Sequence, residues 1–242
     1  MKKPSLITRR KAIVSGLASL GGLLLPRCSH PTPPNYGNIL RMADNLTYVA
    51  QRTLLPGQSL AREYTFRDIS SMPATGTTHP ASVSEDYACL LKNSFADWKL
   101  QIEGKVSMPG FYSMGDLQKF PPRTQITKHF CEEGWTAIAQ WTGVPLGTIL
   151  QSAGIMQSAR FVNFHTYDGW VDSIDLIDAF HPQTILAYGM NGKDLPIAHG
   201  APIRVRLEKQ IGYKSVKYIQ KISVTEEFFD QGDVGWAWYN GI

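Results

Sequence analysis

The sequence predicts an α+β fold, with short strands and short helices alternating along one chain. Four stretches, 98–104, 125–130, 160–166 and 184–190, alternate polar and apolar residues with the period of a half-buried strand. Between them lie brief segments with helical spacing or capping signals. A chain of 242 residues that is 43% hydrophobic and 18% charged can bury a sizeable core as one domain, or as one domain plus an extension, which argues against disorder throughout.

The formal charge of +4 belongs to the leader. Residues 1–28 carry Lys2, Lys3, Arg9, Arg10, Lys11 and Arg27 and no acid, leaving 18 basic against 20 acidic groups in the body, a net of −2. No nucleic-acid partner is expected of such a body. Thr8-Arg9-Arg10-Lys11 followed by a mildly apolar run to Leu25 approximates a twin-arginine signal peptide. The run of about fourteen residues falls short of the roughly twenty that cross a bilayer. Export to the periplasm is expected, with membrane tethering if the leader is retained. Cys28 follows Pro26 and Arg27, where a lipidation signal wants small residues.

Residues 29–84 read as a linker and an N-terminal approach segment, ahead of a body at 85–242. Prolines make 29–38 extended. Ile39, Leu40, Met42, Ala43, Leu46 and Val49 predict a short helix over 39–52, and the Ser, Thr, Pro and Gly content of 70–84 predicts a loop. In the body, strand 98–104 ends on Gly104. Ser113 and Asp116 offer capping for a helical segment over 111–120, which Pro121-Pro122 stops. Strand 125–130 delivers Cys131 to a loop, and Trp135, Ile138 and Trp141 are expected in the core. Pro145 near its start and Gly154 past its end frame a helix within 143–154. Strand 160–166 ends at the turn Tyr167-Asp168-Gly169, residues 173–180 read as a short amphipathic helix, and strand 184–190 enters an Asn191-Gly192 hairpin turn.

Cys131 stands out because a thiolate is a soft metal ligand and a nucleophile, and Lys128 and His129 precede it directly. Buried packing, or a Cys89–Cys131 disulfide in a secreted binding domain without metal, accounts for the same residue equally well at this point.

Cys131-Glu-Glu-Gly-Trp, with Trp141-Thr-Gly-Val-Pro-Leu146 behind it, resembles the core motif of the sulfite oxidase family of molybdopterin enzymes. His199-Gly-Ala-Pro-Ile-Arg204 and Gly212-Tyr-Lys-Ser215-Val-Lys217 resemble that family's pterin-holding segments, so the resemblance spans roughly residues 98–225. It implies a sulfite oxidase-like α+β domain of mixed β-sheets with short flanking helices. It also implies a molybdenum-molybdopterin cofactor whose metal is held by the Cys131 thiolate. Cofactor contacts are implied at Thr166, which lies 35 residues after Cys131 as in the periplasmic methionine-sulfoxide reductase branch, and at His199, Arg204, Ser215, Val216 and Lys217. A guanidinium suits the cofactor's phosphate because its donors are forked and permanently charged.

Glu132, Glu133, His129 and His165 are candidates for proton handling, and Arg67, Ser70 or His79 for reaching over the pterin. Trp170 stands where sulfite oxidases carry a tyrosine, so the resemblance leans toward reduction of a sulfoxide or N-oxide, with sulfite dehydrogenation as the alternative. No Cys-x-x-Cys-His occurs, so no c-type haem is expected in this chain. A stand-alone catalytic domain is expected, exchanging electrons with a separate cytochrome or membrane haem protein.

Overall fold

The computed structural model describes residues 59–226 and, before them, residues 46, 49, 50, 53 and 54. All of these belong to one compact unit. Leu46, Val49, Ala50, Thr53 and Leu54 are helical, and the rest of the expected helix over 39–52 lies outside the described residues, as do the leader and linker. Among the described residues no helix is long and apolar enough to cross a membrane.

Two sheets make the body. The first has the strands β1 (Lys99–Gly104), β2 (Gly110–Ser113), β5 (Phe161–Thr166), β6 (Val171–Asp175) and β10 (Ile219–Thr225), in the order β2-β1-β10-β5-β6. Only the β1–β10 pair among these is parallel. The second contains β3 (Arg123–Phe130), β4 (Thr136–Pro145), β7 (Ile185–Met190) and β8 (Lys193–Asp194), with β9 (Arg204–Arg206) also paired to β7. Helices α1 (Glu85–Lys92), α2 (Met114–Leu117), α3 (Leu146–Ser152) and α4 (Leu176–Ala179) are short. The expected α+β class with mixed sheets therefore holds.

The main core gathers Trp98, Leu100, Ile102, Leu146, Ile149, Phe164, Ile222 and Val224, all essentially buried. Alternation explains the selection: Leu100 and Ile102 face inward from β1, while Lys99, Gln101 and Glu103 do not. A smaller cluster of Ala139, Trp141, Ile185, Ala187, Met190 and Leu195 lies in the second sheet.

Several boundaries differ from the sequence reading. Phe111–Ser113 is the end of β2, and only the Ser113 capping box starts a helix there: Ser113 Oγ accepts from Asp116 N at 3.2 Å, and Ser113 N donates to Asp116 Oδ2 at 3.1 Å. Ser173–Asp175 is strand, because pairing with Phe161–Asn163 outweighs helical spacing, and Asp175 caps α4. Gly143–Pro145 is strand too, since Gly143 lies against the β7 backbone; a Cβ there would stand 2.2 Å from the Leu186 carbonyl oxygen. Trp135 and Ile138, expected in the core, are only partly buried, whereas Trp141 is fully so. Helix α1 carried an unread signal, Ser84 accepting from Tyr87 N with Glu85 and Asp86 in the first turn.

Gly104 has φ +88°, and its missing Cβ would lie 2.2 Å from the Val224 carbonyl oxygen; Gly169 has φ +83° with open space around it. Gly169→Ala should therefore cost about 1–2 kcal/mol from left-handed strain alone. Gly104→Ala should cost at least about twice that, because β1 and β10 must separate as well. Thermal unfolding checks this at about 2–4 °C per kcal/mol for a domain of this size. Equal shifts would show that the β1–β10 approach is not tight.

Candidate active site

Cys131 is reached by a hairpin. Strand β3 alternates so that His129 and Cys131 fall on the buried side and Phe130 on the exposed side. The chain then turns back into β4 through Gly134 at φ +92°, with Gly134 N donating to the Cys131 carbonyl at 3.0 Å and Cys131 N to the Trp135 carbonyl at 3.0 Å. The thiol thus opens onto a cavity of about 440 Å³ whose walls include Glu132, Trp135, Trp170, His199, Arg204 and Lys217. Cys89 is a free thiol exposed on α1 and Cys131 a free thiol buried at the cavity, so the Cys89–Cys131 disulfide does not form. Burial pushes the Cys131 thiol up, and Sγ lies 3.6 Å from Glu132 Oε2.

Behind the thiol, β9 and the turn that follows supply the buried or half-buried cations Arg204, Arg206, Lys214 and Lys217. Two have carboxylate partners: Arg206 Nη2 meets Glu208 Oε2 at 2.9 Å, and Lys214 Nζ meets Asp172 Oδ1 at 2.7 Å. The two that line the cavity have none within salt-bridge distance among the described residues. Arg204 donates to the carbonyls of His199 at 2.9 Å and Ser215 at 2.5 Å, and its buried Nε finds no acceptor. Lys217 Nζ donates to the carbonyls of Thr75 at 2.8 Å, Ala198 at 3.3 Å and Thr77. Burial and the neighbouring Arg206 lower Arg204 to about 9, and burial with Arg204 lowers Lys217 to about 8. Gly200, at φ +113°, permits this crowding: a Cβ there would lie 3.0–3.1 Å from the side chains of Lys217 and Arg204.

Ser215 and Val216 brace β9 and the residue after it, Ser215 through its side chain and Val216 through its backbone. The Ser215 hydroxyl oxygen accepts from Leu207 N at 3.3 Å and Arg206 at 3.2 Å, and the Val216 carbonyl accepts from Val205 N at 3.0 Å. The Val216 and Lys217 N–H groups have no internal acceptor among the described residues. Thr166 does not line the cavity: its hydroxyl lies 2.5 Å from Asp168 Oδ1 and 2.8 Å from the Trp170 carbonyl, so it fixes the hairpin that places Asp168 and Trp170 on the wall. His165 pairs with Ser223 Oγ at 2.8 Å, away from the cavity lining.

Glu133 lies on the wall and accepts from the Trp135 indole at 2.9 Å. Of the three approach-segment candidates none lines the cavity. Arg67 is exposed, His79 bonds Thr78, and Ser70 pairs with Ile138 of β4 through both N and Oγ. The segment that does close the cavity, Met72–Thr77, lies within the loop expected over 70–84, and Asp168 and Tyr213 join it on the lining.

Among the described residues no group of three or more His, Cys, Asp or Glu could hold a metal. A metal held here would need most of its ligands from a group other than the protein. Two cations lacking carboxylates, an orphaned buried guanidinium nitrogen and free backbone N–H groups suit an anionic, phosphate-bearing group that also brings metal ligands.

Comparison with known proteins agrees with this donor set. Residues 89–232 match the family described as the oxidoreductase molybdopterin binding domain. The chain is 31% identical over 237 residues to the putative protein-methionine-sulfoxide reductase subunit YedZ1 of Azospira oryzae, covering 96% of this chain and 87% of that one. It is 27% identical to the protein-methionine-sulfoxide reductase catalytic subunit MsrP of Pseudomonas syringae, over 91% of this chain and 72% of that protein. It is 34% identical to MsrP of Campylobacter jejuni, over 54% of this chain and 50% of that protein. The sulfane dehydrogenase SoxCD of Paracoccus pantotrophus shares the fold, with a TM-score of 0.52 at 22% identity over 55% of this chain and 39% of that one. The chain belongs to the oxidoreductase molybdopterin-binding, or sulfite oxidase, family: it is an enzyme that uses molybdenum-molybdopterin.

Two predictions follow from the cavity wall. Burial, with Arg206 and Arg204 close by, lowers His129 to about 2. The unfolded chain therefore binds a proton there between about pH 2 and 6.5 that the folded protein refuses, and this contribution to stability is lost as pH falls through that window. His129→Gln should flatten the acid side of the stability–pH curve, measured by urea unfolding. Lys217→Met should release Met72–Thr77 and speed limited proteolysis within that segment severalfold, while cleavage elsewhere stays unchanged.

Proposed function

We propose that the protein is a periplasmic reductase of sulfoxides, methionine sulfoxide being the first substrate to test, with Cys131 as the protein ligand of molybdenum. The observation that carries this reading is a buried thiol on a cavity lined by the cations Arg204 and Lys217 and by the aromatic residues Trp135 and Trp170. The relatives named for methionine-sulfoxide reduction support the substrate class. The leader 1–28 supports export through the twin-arginine route, ahead of a linker and approach segment at 29–84 and the catalytic body at 85–242.

Arg204, Lys217, His199 and the N–H groups of Val216 and Lys217 would hold the cofactor. When bound, it supplies two-electron oxygen-atom transfer. Glu132 takes the thiol proton as Cys131 becomes a ligand, being within reach of Sγ and able to hold the proton on Oε2. Trp170 stacks apolar surface against the alkyl groups of a sulfoxide substrate and, unlike a tyrosine, offers no phenolic proton there. Asp172 and Lys214 anchor the strand that presents it, Lys214 donating to Asp172 at 2.7 Å and to the Ser173 carbonyl at 2.8 Å. Electrons arrive from a separate cytochrome or membrane haem protein.

Cofactor-loaded protein reduced by a viologen dye should turn over methionine sulfoxide and should not oxidise sulfite with an artificial acceptor. Sulfite oxidation without sulfoxide reduction would replace this reading by sulfite dehydrogenation.

A further inference from the structure

His129 shares the buried face of β3 with Cys131 and lines the same cavity. Its Nδ1 lies 2.8 Å from Arg206 Nη1. A guanidinium nitrogen only donates, so Nδ1 must accept, and the ring proton must sit on Nε2. Arg206 cannot swing away from this contact. It is 1% exposed, its Nη2 is held by Glu208 at 2.9 Å, its Nη1 also reaches Ser215 Oγ at 3.2 Å, and its guanidinium carbon lies 4.5 Å from the centre of the Trp141 ring. Glu208 is fixed in turn by Gln125 Nε2 at 2.9 Å, itself bonded to the Gln183 carbonyl at 2.9 Å. On the far edge of the ring, a Cβ on Gly212 would stand 2.6 Å from Cε1 and Nε2, so only glycine leaves room. Among the described residues the Nε2–H meets no acceptor. His129 lines the cavity, and the cavity is where its acceptor can come from.

We propose that His129 is a fixed hydrogen-bond donor of this site, offering Nε2–H beside Cys131 to an oxygen acceptor bound in the cavity, with Arg206 and Glu208 as the positioning residues that set its tautomer. The acceptor's chemistry is a carbonyl or oxide oxygen, on the pterin or on the sulfoxide; this part rests on the function proposed above.

Long-range proton–nitrogen correlation spectra of the purified full chain read the tautomer directly. Protonated Nε2 and bare Nδ1 are expected in the wild type, and a mixed or reversed tautomer in Arg206→Met. Protonated Nδ1 in the wild type overturns the proposal whether or not any metal is bound. Should Arg206→Met fail to fold, the two His129 variants still decide. In exported protein, His129→Phe should lose about tenfold, the worth of one such hydrogen bond, and His129→Gln should recover most of it because its amide can donate from nearly the same place. Loss of molybdenum and pterin content in His129→Phe assigns the acceptor to the cofactor, and full content with lowered kcat/KM for methionine sulfoxide assigns it to the substrate. Phe and Gln variants that behave alike overturn the proposal. Wild-type protein that takes up no molybdenum would defeat the functional reading, while the spectra would still decide the tautomer.

Discussion

Positive charge held in the protein without a matching carboxylate is the constraint on which the site depends. Arg204 is buried against carbonyl oxygens and the Trp141 face, with one guanidinium nitrogen unsatisfied, and Lys217 is held by carbonyls alone. Desolvation makes both charges costly, which is why both pKa values fall. Their neighbours Arg206 and Lys214 show that the same segment can supply carboxylate partners where no ligand is required. The difference lies in where the groups point: the two without carboxylates line the cavity, where an anionic cofactor would complete them.

The same two residues organise the chain around the site. Arg204 ties the turn at His199 to Ser215, and Lys217 with Tyr218, whose hydroxyl donates to the Thr77 carbonyl at 2.9 Å, ties down the approach segment. That segment is further fixed to the second sheet at Glu63–Thr127 and at Ser70–Ile138. The cavity is therefore built from pieces far apart in sequence, each anchored to a strand end, and Cys131 enters it from the β3–β4 hairpin.

Local signals were the legible part of the sequence. Alternation located β1, β3, β5 and β7 within a residue or two, and the Ser113 capping box and Asn191-Gly192 turn were readable because their chemistry is contained in a few neighbouring residues. Helical spacing at 173–180 found α4 but misled over 173–175, where strand pairing with β5 decides, and pairing is not local. In the site, Cys131, His199, Arg204 and Lys217 could be named because they sit in compact motifs. Met72–Thr77 was legible only as part of the loop 70–84: its contacts run through carbonyl oxygens, which leave no trace in residue type. The role of Arg206 and Glu208 was hidden similarly, since a charge at the end of a short strand and another just after it read as a solvated edge until His129 is placed beside them.

The account turns on one bond, between the Cys131 sulfur and a metal whose other ligands come from a pterin. Molybdenum and pterin content of protein exported through the twin-arginine route, compared between wild type and Cys131→Ser, tests it most directly. The account predicts near-stoichiometric molybdenum and pterin in the wild type, with the metal or its thiolate charge-transfer absorption lost in the variant. Wild type and variant with identical metal content and spectra would contradict it, because the thiol would then have no part in holding the metal.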